Sequence, residues 1–336
     1  MRAMVFSAPG DLKLGDWPLP EPGPGDVTVE LDYCGICPWD VRAYRGLASG
    51  IQYPRLLGHE AAGRVTRVGD AVKSVSVGQA VVVNFIVQCG TCPACRRGLN
   101  NVCQRPTYGR GGFADAVTVP EGNVFPFNPK TSPQAAAFTE PLSCVLRGER
   151  MLDIQPGETA LVLGAGPIGL MHIQVARLFG ARVLAADLRP ERLEMARQMG
   201  AEVVINSGEG SLKDAVLAAT DGWGADAAAV TVGSGRLVEE TLGVMARGGR
   251  MNIFAGIYPK EPVSLDPNLI HYRELRVLGS SDSTPADFRQ ALALIDQGQV
   301  QVLPLISHLL PLERLTEGME IVKQAQGLKV MIDIHA

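Results

Sequence analysis

Aromatic side chains make up only 5% of this sequence, too few for a row of base-stacking platforms. A basic excess is also missing. Lys and Arg number 31 against 35 Asp and Glu, a formal net charge of -4, so no electrostatic footprint for nucleic acid stands out. Seven cysteines in 336 residues are too sparse, and odd in number, for a disulfide scaffold. The first residues hold no apolar core long enough for a signal peptide. One run, 159–176, lacks Asp, Glu, Lys and Arg for 18 residues, near the lower limit of a membrane span. It contains Gly164, Gly166, Pro167 and Gly169, which fit strand, turn and helix better than one continuous helix. These absences point to a soluble, cytoplasmic, reduced protein with no nucleic-acid or membrane partner.

What is present is a globular composition, 46% apolar and 20% charged. The length suggests about two domains. Residues 1–130 are rich in Gly and Pro, with short β-branched runs at 27–31, 62–68, 79–87 and 113–119. That texture predicts a small β-rich domain. Past residue 158 the period changes. Strands are expected at 160–163, 182–187, 202–206, 227–232, 251–255 and 275–279. Helices are expected at 167–179, 191–199, 212–219 and 236–246. Six strands with helices between them imply an α/β fold with a doubly wound parallel sheet. A helix at 286–296 then leads to a mixed tail ending in LKVMIDI, whose strand could return to the first domain.

The first strand of the second half runs into Gly164-Ala-Gly166-Pro167-Ile168-Gly169 and then a helix. Such a loop carries a pyrophosphate on the helix N-terminus. The first glycine serves the turn, the second the approach of the ligand, the third the packing of helix on strand. Asp187 ends the next strand, 23 residues after Gly164, where a carboxylate accepts ribose hydroxyls and repels a 2′-phosphate. NAD is therefore preferred over NADP, although Arg189 and Arg192 follow closely. Val232 and Gly256, at the ends of the fourth and fifth strands, complete the expected cofactor contacts.

Four of the seven cysteines form Cys89-x2-Cys92-x2-Cys95-x7-Cys103. Four thiolates at this spacing close a tetrahedral zinc site with no position for water, a structural role. An iron–sulfur cluster is the nearest competitor, but its motif continues x3-C-P, not x7-C-Q. Three further features stand apart: Cys37 in CGICPWD, His59-Glu60 in LLGHEAAG, and Glu140 in FTEPLSC. Singly each is bland, since a lone Cys or His is usually a core residue. Together they suggest a zinc site of thiolate, imidazole and carboxylate with one position open.

With these motifs in hand, the sequence resembles the zinc-dependent medium-chain alcohol dehydrogenases, particularly the sorbitol/polyol and threonine branch. CGIC with Asp40, GHEAAG, CGTCPAC, GGFADAV, EPLSC, GAGPIG and HYRELRVLGS appear in the family order. The resemblance implies a GroES-like catalytic domain over 1–144, with a zinc lobe at 88–104. It implies a Rossmann NAD-binding domain over 145–281 and a segment, 282–336, returning to the catalytic domain. It implies homodimers or homotetramers. Cys37 and His59 match catalytic zinc ligands, Glu60 the acidic neighbour of the metal, and Glu140 a glutamate acting directly or through water. Cys89, Cys92, Cys95 and Cys103 match structural zinc ligands, and Asp187 and Arg192 match positions that hold the adenosine ribose.

Two departures concern the substrate. The family's Ser or Thr, two residues after the first zinc cysteine, is here Trp39, which cannot relay a proton as a hydroxyl does. Its relay histidine is Arg42. Trp39 either stacks on a sugar ring or fills the vacated space. Arg42, Arg45, Arg105 and Arg110 either serve an acidic substrate or form a solvated face. Tyr108 is expected as a pocket wall. Proton acceptors are Glu60, Glu140 or Asp40. The expected reaction passes hydride from a secondary alcohol, in a polyol, sugar alcohol or cyclitol, to NAD. The alternatives are a threonine or amino-alcohol dehydrogenase and a dehydrogenase of phosphorylated or acidic sugar alcohols. A zinc-free reductase and an NAD-holding redox sensor are more distant rivals.

Overall fold

The computed structural model describes residues 1–109 and 111–336. The chain forms two compact units: Met1–Ser143 with Thr284–Ala336, and Cys144–Ser283.

The first unit is β-rich. Its central strand, Asp26–Gly35, is ten residues of mostly apolar and β-branched sequence. It pairs antiparallel with Glu60–Val68, with Ala116–Pro120 and with the C-terminal strand Lys329–Asp333. Ala80–Val83 and Val124–Pro126 extend the sheet on one side, and Ile306–Pro311 on the other. Val27, Val29, Leu31, Phe113, Val330 and Ile332 meet in its core. The LKVMIDI tail thus packs beside the strand that opens the CGIC motif. Its register puts Met331 opposite Gly35, while Gly35 also faces Glu60 on the other side. That register brings together groups far apart in sequence.

Residues 79–87 do not form one strand. Pairing stops at Val83 and resumes at Ile86–Val87 with a different partner, Thr107–Tyr108. Asn84 and Asn123 cause the break. The Asn84 side chain accepts the Ile86 amide at 3.0 Å, and Asn123 Nδ2 donates to the Asn84 and Ile86 carbonyls. The redirected strand stands at the base of the four-cysteine lobe. The expected strand at 113–119 is shorter, Ala116–Pro120, because Ala114 leaves the sheet to bridge Ala3.

The second unit has six parallel strands. Their order is Val203–Asn206, Arg182–Asp187, Thr159–Leu163, Ala225–Val230, Met245–Ile253, Arg276–Gly279. In chain order this is 3-2-1-4-5-6, the dinucleotide-binding arrangement, as the alternation of apolar runs implied. Leu161, Leu184, Val230 and Met251 lie at its core, continuous apolar strands suited to a sheet covered on both faces. The expected helix at 236–246 ends earlier, at Gly243, and the fifth strand begins at Met245.

Candidate active site

Cys37 caps the short helix Pro38–Tyr44, its Sγ accepting the Trp39 amide at 3.5 Å. Asp40 closes the capping box by accepting the Cys37 amide at 3.0 Å. The same carboxylate reaches the next motif. It accepts the Gly58 amide at 3.0 Å and stands 3.5 Å from His59 Nδ1. Asp40 is fully buried and both its oxygens are engaged. It therefore fixes the thiol and the imidazole relative to one another. Burial opposes charge on His59, but Asp40 and Cys37 outweigh it and raise the imidazole well above its ordinary value. Burial pushes the Cys37 thiol up, and the neighbouring imidazole offsets part of that.

A thiolate sulfur, an imidazole nitrogen and a carboxylate oxygen from Cys37, His59 and Glu60 all lie within 4.8 Å of one another. This mixed set of sulfur, nitrogen and oxygen donors suits zinc with an open position. Glu140 is not one of the three. It stands half-buried in the first turn of the helix Thr139–Leu152, and its charge acts on Lys329.

Lys329 is the residue that sequence reasoning missed. Its Nζ is 2.8 and 2.6 Å from the two Glu60 oxygens and 3.4 Å from the Ile36 carbonyl. Both side chains are buried, at 4% and 3% exposure. Burial would lower the lysine, but Glu60 and then Cys37 hold it above its ordinary value. Gly35 makes the space: a β-carbon there would stand 2.1 Å from Glu60 Oε2. The only signal in sequence was a lysine opening a strand whose next three residues are apolar and buried.

The four-cysteine lobe is assembled in the same unit. Cys89, Cys92, Cys95 and Cys103 converge within the same 4.8 Å limit. Sγ separations are 4.0 Å for Cys89–Cys95 and 3.9 Å for Cys92–Cys103. A tetrahedral zinc with Zn–S near 2.3 Å sets edges of about 3.8 Å, so the cluster fits. Backbone amides of Cys92, Cys95 and Arg105 point at Cys89, Cys92 and Cys103 sulfurs, at 3.3, 3.5 and 3.4 Å. Amide bonds from Thr91 and Cys92 hold the Cys89 thiol down at about 5.

In the second unit, Gly164 has φ +95°, and a β-carbon there would strike Val232 and Thr231. One on Gly169 would stand 1.7 Å from the Gly164 carbonyl oxygen. At Gly166 the nearest atom is Arg192 Nη1 at 3.9 Å, so that side is open to a ligand. The helix Pro167–Leu178, with Pro167 and Ile168 in its first turn, offers its N-terminus there, with no side chain capping it. Asp187 is locked at its strand end. Oδ2 accepts the Ala165 amide at 2.7 Å, and Oδ1 the Leu188 and Arg189 amides at 2.8 and 3.0 Å. Val232, 42% exposed, follows the fourth strand. Beside it Gly233 packs on the Gly256 carbonyl beyond the fifth strand.

The expected substrate contacts divide. Trp39 meets His59 edge to face, ring centroids 5.9 Å apart. Arg42, half-buried, follows on the same helix, while Arg45 is exposed. Arg105 belongs to the cysteine lobe, with Nη2 3.0 Å from Thr91 Oγ1. Tyr108 is 60% exposed and lines a different hollow, of about 240 Å³, with Trp17, Pro18 and Pro20. Arg110 lies outside the described residues.

Residues 23–129 match the alcohol dehydrogenase GroES-like domain, and residues 167–297 match the zinc-binding dehydrogenase domain. An L-galactonate-5-dehydrogenase from Escherichia coli K12 is 32% identical, covering 95% of this chain and 94% of its own. An L-threonine 3-dehydrogenase from Saccharopolyspora erythraea is 32% identical over 99% of both chains. A protein from Sinorhizobium meliloti 1021, solved bound to NADP, superposes with a TM-score of 0.95 at 30% identity over 99% of both chains. No helix among the described residues is long and apolar enough to cross a membrane. Motif order, sheet order, both metal-binding constellations and whole-chain likeness converge on one conclusion: the chain is an enzyme of the zinc-dependent medium-chain alcohol dehydrogenase family.

Proposed function

We propose that this enzyme oxidises a secondary alcohol of a polyol, sugar alcohol or cyclitol with NAD, using a zinc held by Cys37, His59 and Glu60. The observation that carries the reading is the three-residue donor set, braced by Asp40 on one side and Lys329 on the other. When bound, zinc supplies a Lewis acid that acidifies a hydroxyl, and the nicotinamide supplies the hydride acceptor. The chain does the rest. Asp40 holds the imidazole and thiol in register. Lys329 neutralises Glu60 in a buried setting, so the carboxylate can stand beside a thiolate. Trp39 closes the usual relay route, since its indole only donates. Of the three carboxylates that could take the proton, Asp40 is fully engaged and Glu60 faces Lys329, which leaves Glu140.

The cofactor is NAD on this reading. Asp187 is tied by three backbone amides, so its charge cannot swing away from a 2′-phosphate. The Sinorhizobium protein bound to NADP and the nearby Arg192 keep NADP as the measured competitor. The four cysteines hold a second, structural zinc. On this reading the enzyme is cytoplasmic, which thiol ligands kept reduced support, and it assembles as a homodimer or homotetramer. A second reading, oxidation of an amino alcohol, is favoured by the Saccharopolyspora relative.

The test is a panel of polyols, aldonates, polyol phosphates, cyclitols and L-threonine with NAD or NADP, read at 340 nm. The reading expects a polyol-type substrate and a kcat/KM for NAD about tenfold or more above NADP, one charge–charge repulsion's worth. Threonine as the best substrate, or no turnover, overturns it.

A further inference from the structure

We propose, resting on the reading above, that the substrate carries a terminal oxyanion, a carboxylate or a phosphate, and that Arg55 recognises it. Arg55 lies in the short strand Arg55–Leu56, four residues before His59. Its guanidinium carbon stands 5.9 Å from the Trp39 ring, over the indole face. His59 meets the same indole, at 5.9 Å and 81°. One indole thus touches both a donor-set residue and a guanidinium. Each lies 5.9 Å from the indole ring, so the cation stands no more than about two such steps from His59, within the span of a pentitol or hexitol chain.

The guanidinium is available. Among the described residues no carboxylate pairs with it, and its one hydrogen bond to them is a long one, Nε to the Leu56 carbonyl at 3.4 Å. Both Nη groups therefore keep their donors for a ligand. A planar fork of donors matches carboxylate and phosphate oxygens bidentately, which an ammonium does not. The indole face holds the fork in place beforehand, so less side-chain freedom is lost on binding. Arg42 stands three residues after Trp39 on the same helix face and adds a second positive charge.

This accounts for both departures from the family pattern at once. A Ser or Thr at position 39 offers a hydroxyl but no shelf for a guanidinium. Trp39 gives up the relay and supplies the shelf. A purely structural Arg55 bracing Trp39 is the competing account, and it predicts no preference for charge.

The full-length, zinc-loaded enzyme is offered matched sets: a neutral polyol, its aldonate and its terminal phosphate. Each is read as initial NADH formation and, without turnover, as Kd by calorimetry. At least one anionic member is expected to exceed the neutral polyol in kcat/KM by about tenfold or more, one charge-assisted pair's worth. Whether the aldonate or the phosphate does so identifies the end group. Arg55→Gln should lower the anionic-to-neutral ratio by about the same factor, mostly through KM, and Arg55→Lys should restore part of it. Equal preference in the wild type, or a Gln variant that weakens neutral and anionic members alike, overturns the proposal. If no alcohol gives NADH, the polyol reading fails instead, and the calorimetric ratio still decides Arg55.

Discussion

Asp40 and Lys329 carry the metal site without belonging to its donor set. Asp40 spends both oxygens on the Cys37 and Gly58 amides while standing beside His59. Asp40→Asn keeps the size but replaces one acceptor by a donor, which then faces an amide or the imidazole. The expected result is a loss of roughly 10–100-fold in affinity for the catalytic zinc, read by chelator competition, with the secondary-structure signal retained. Lys329→Met leaves the Glu60 carboxylate buried and unmatched. It should cost about 3–5 kcal/mol in urea unfolding, and adding Glu60→Gln should return part of that loss. A single variant as stable as the wild type would contradict the pairing. The four lobe cysteines could be picked out from sequence because their spacing is itself the chemistry, whereas Cys37 and His59, singly bland, stood out only together with the family's motif order. Lys329 could not, since 269 residues separate it from Glu60 and only sheet register joins them. Asp40 was visible as a residue but not as a brace, because a carboxylate's role depends on which amides face it.

Among elements, the strand–loop–helix at Thr159–Leu163 and Pro167–Leu178 follows closely from its glycines and apolar period. The 79–87 segment does not, because two asparagine side chains from different stretches decide where its backbone turns. The same unit as the glycine loop holds a polar anchor of the fifth strand. Arg250 donates Nε to the Leu152 carbonyl at 2.7 Å and Nη1 to Glu158 at 2.9 Å, and Nη2 also meets Glu158. Burial alone would raise the Glu158 carboxyl; Arg250 overcomes it and holds the group below its ordinary 4.5. A depressed carboxylate stabilises the fold above its unfolded pKa and ceases to do so as pH falls through its folded value. At neutral pH, Glu158→Gln should be less stable than wild type by about 2 kcal/mol. In urea titrations at successively lower pH that gap should close below 4.5. A gap independent of pH would contradict the ion pair's part in it.

For the whole molecule, the fold class was readable because the period changes once, near the middle of the chain, from β-rich runs to alternating strand and helix. The return of the C-terminal strand to the first sheet came only with the family resemblance, since a tail of seven residues has no periodicity that names its partner. That return matters most for function, because it delivers Lys329 to Glu60. The central claim is that Cys37, His59 and Glu60 hold one metal for chemistry while the four-cysteine lobe holds another for folding. Elemental analysis of purified Cys37→Ala beside wild type, with NADH formation on the best polyol, tests it most directly. Wild type should carry two zinc ions per chain, one for each constellation. The variant should keep one zinc and a cooperative unfolding transition, and lose about a thousandfold or more in kcat/KM. A Cys37→Ala enzyme that retains both zinc ions and turns over the alcohol at the wild-type rate would contradict the account.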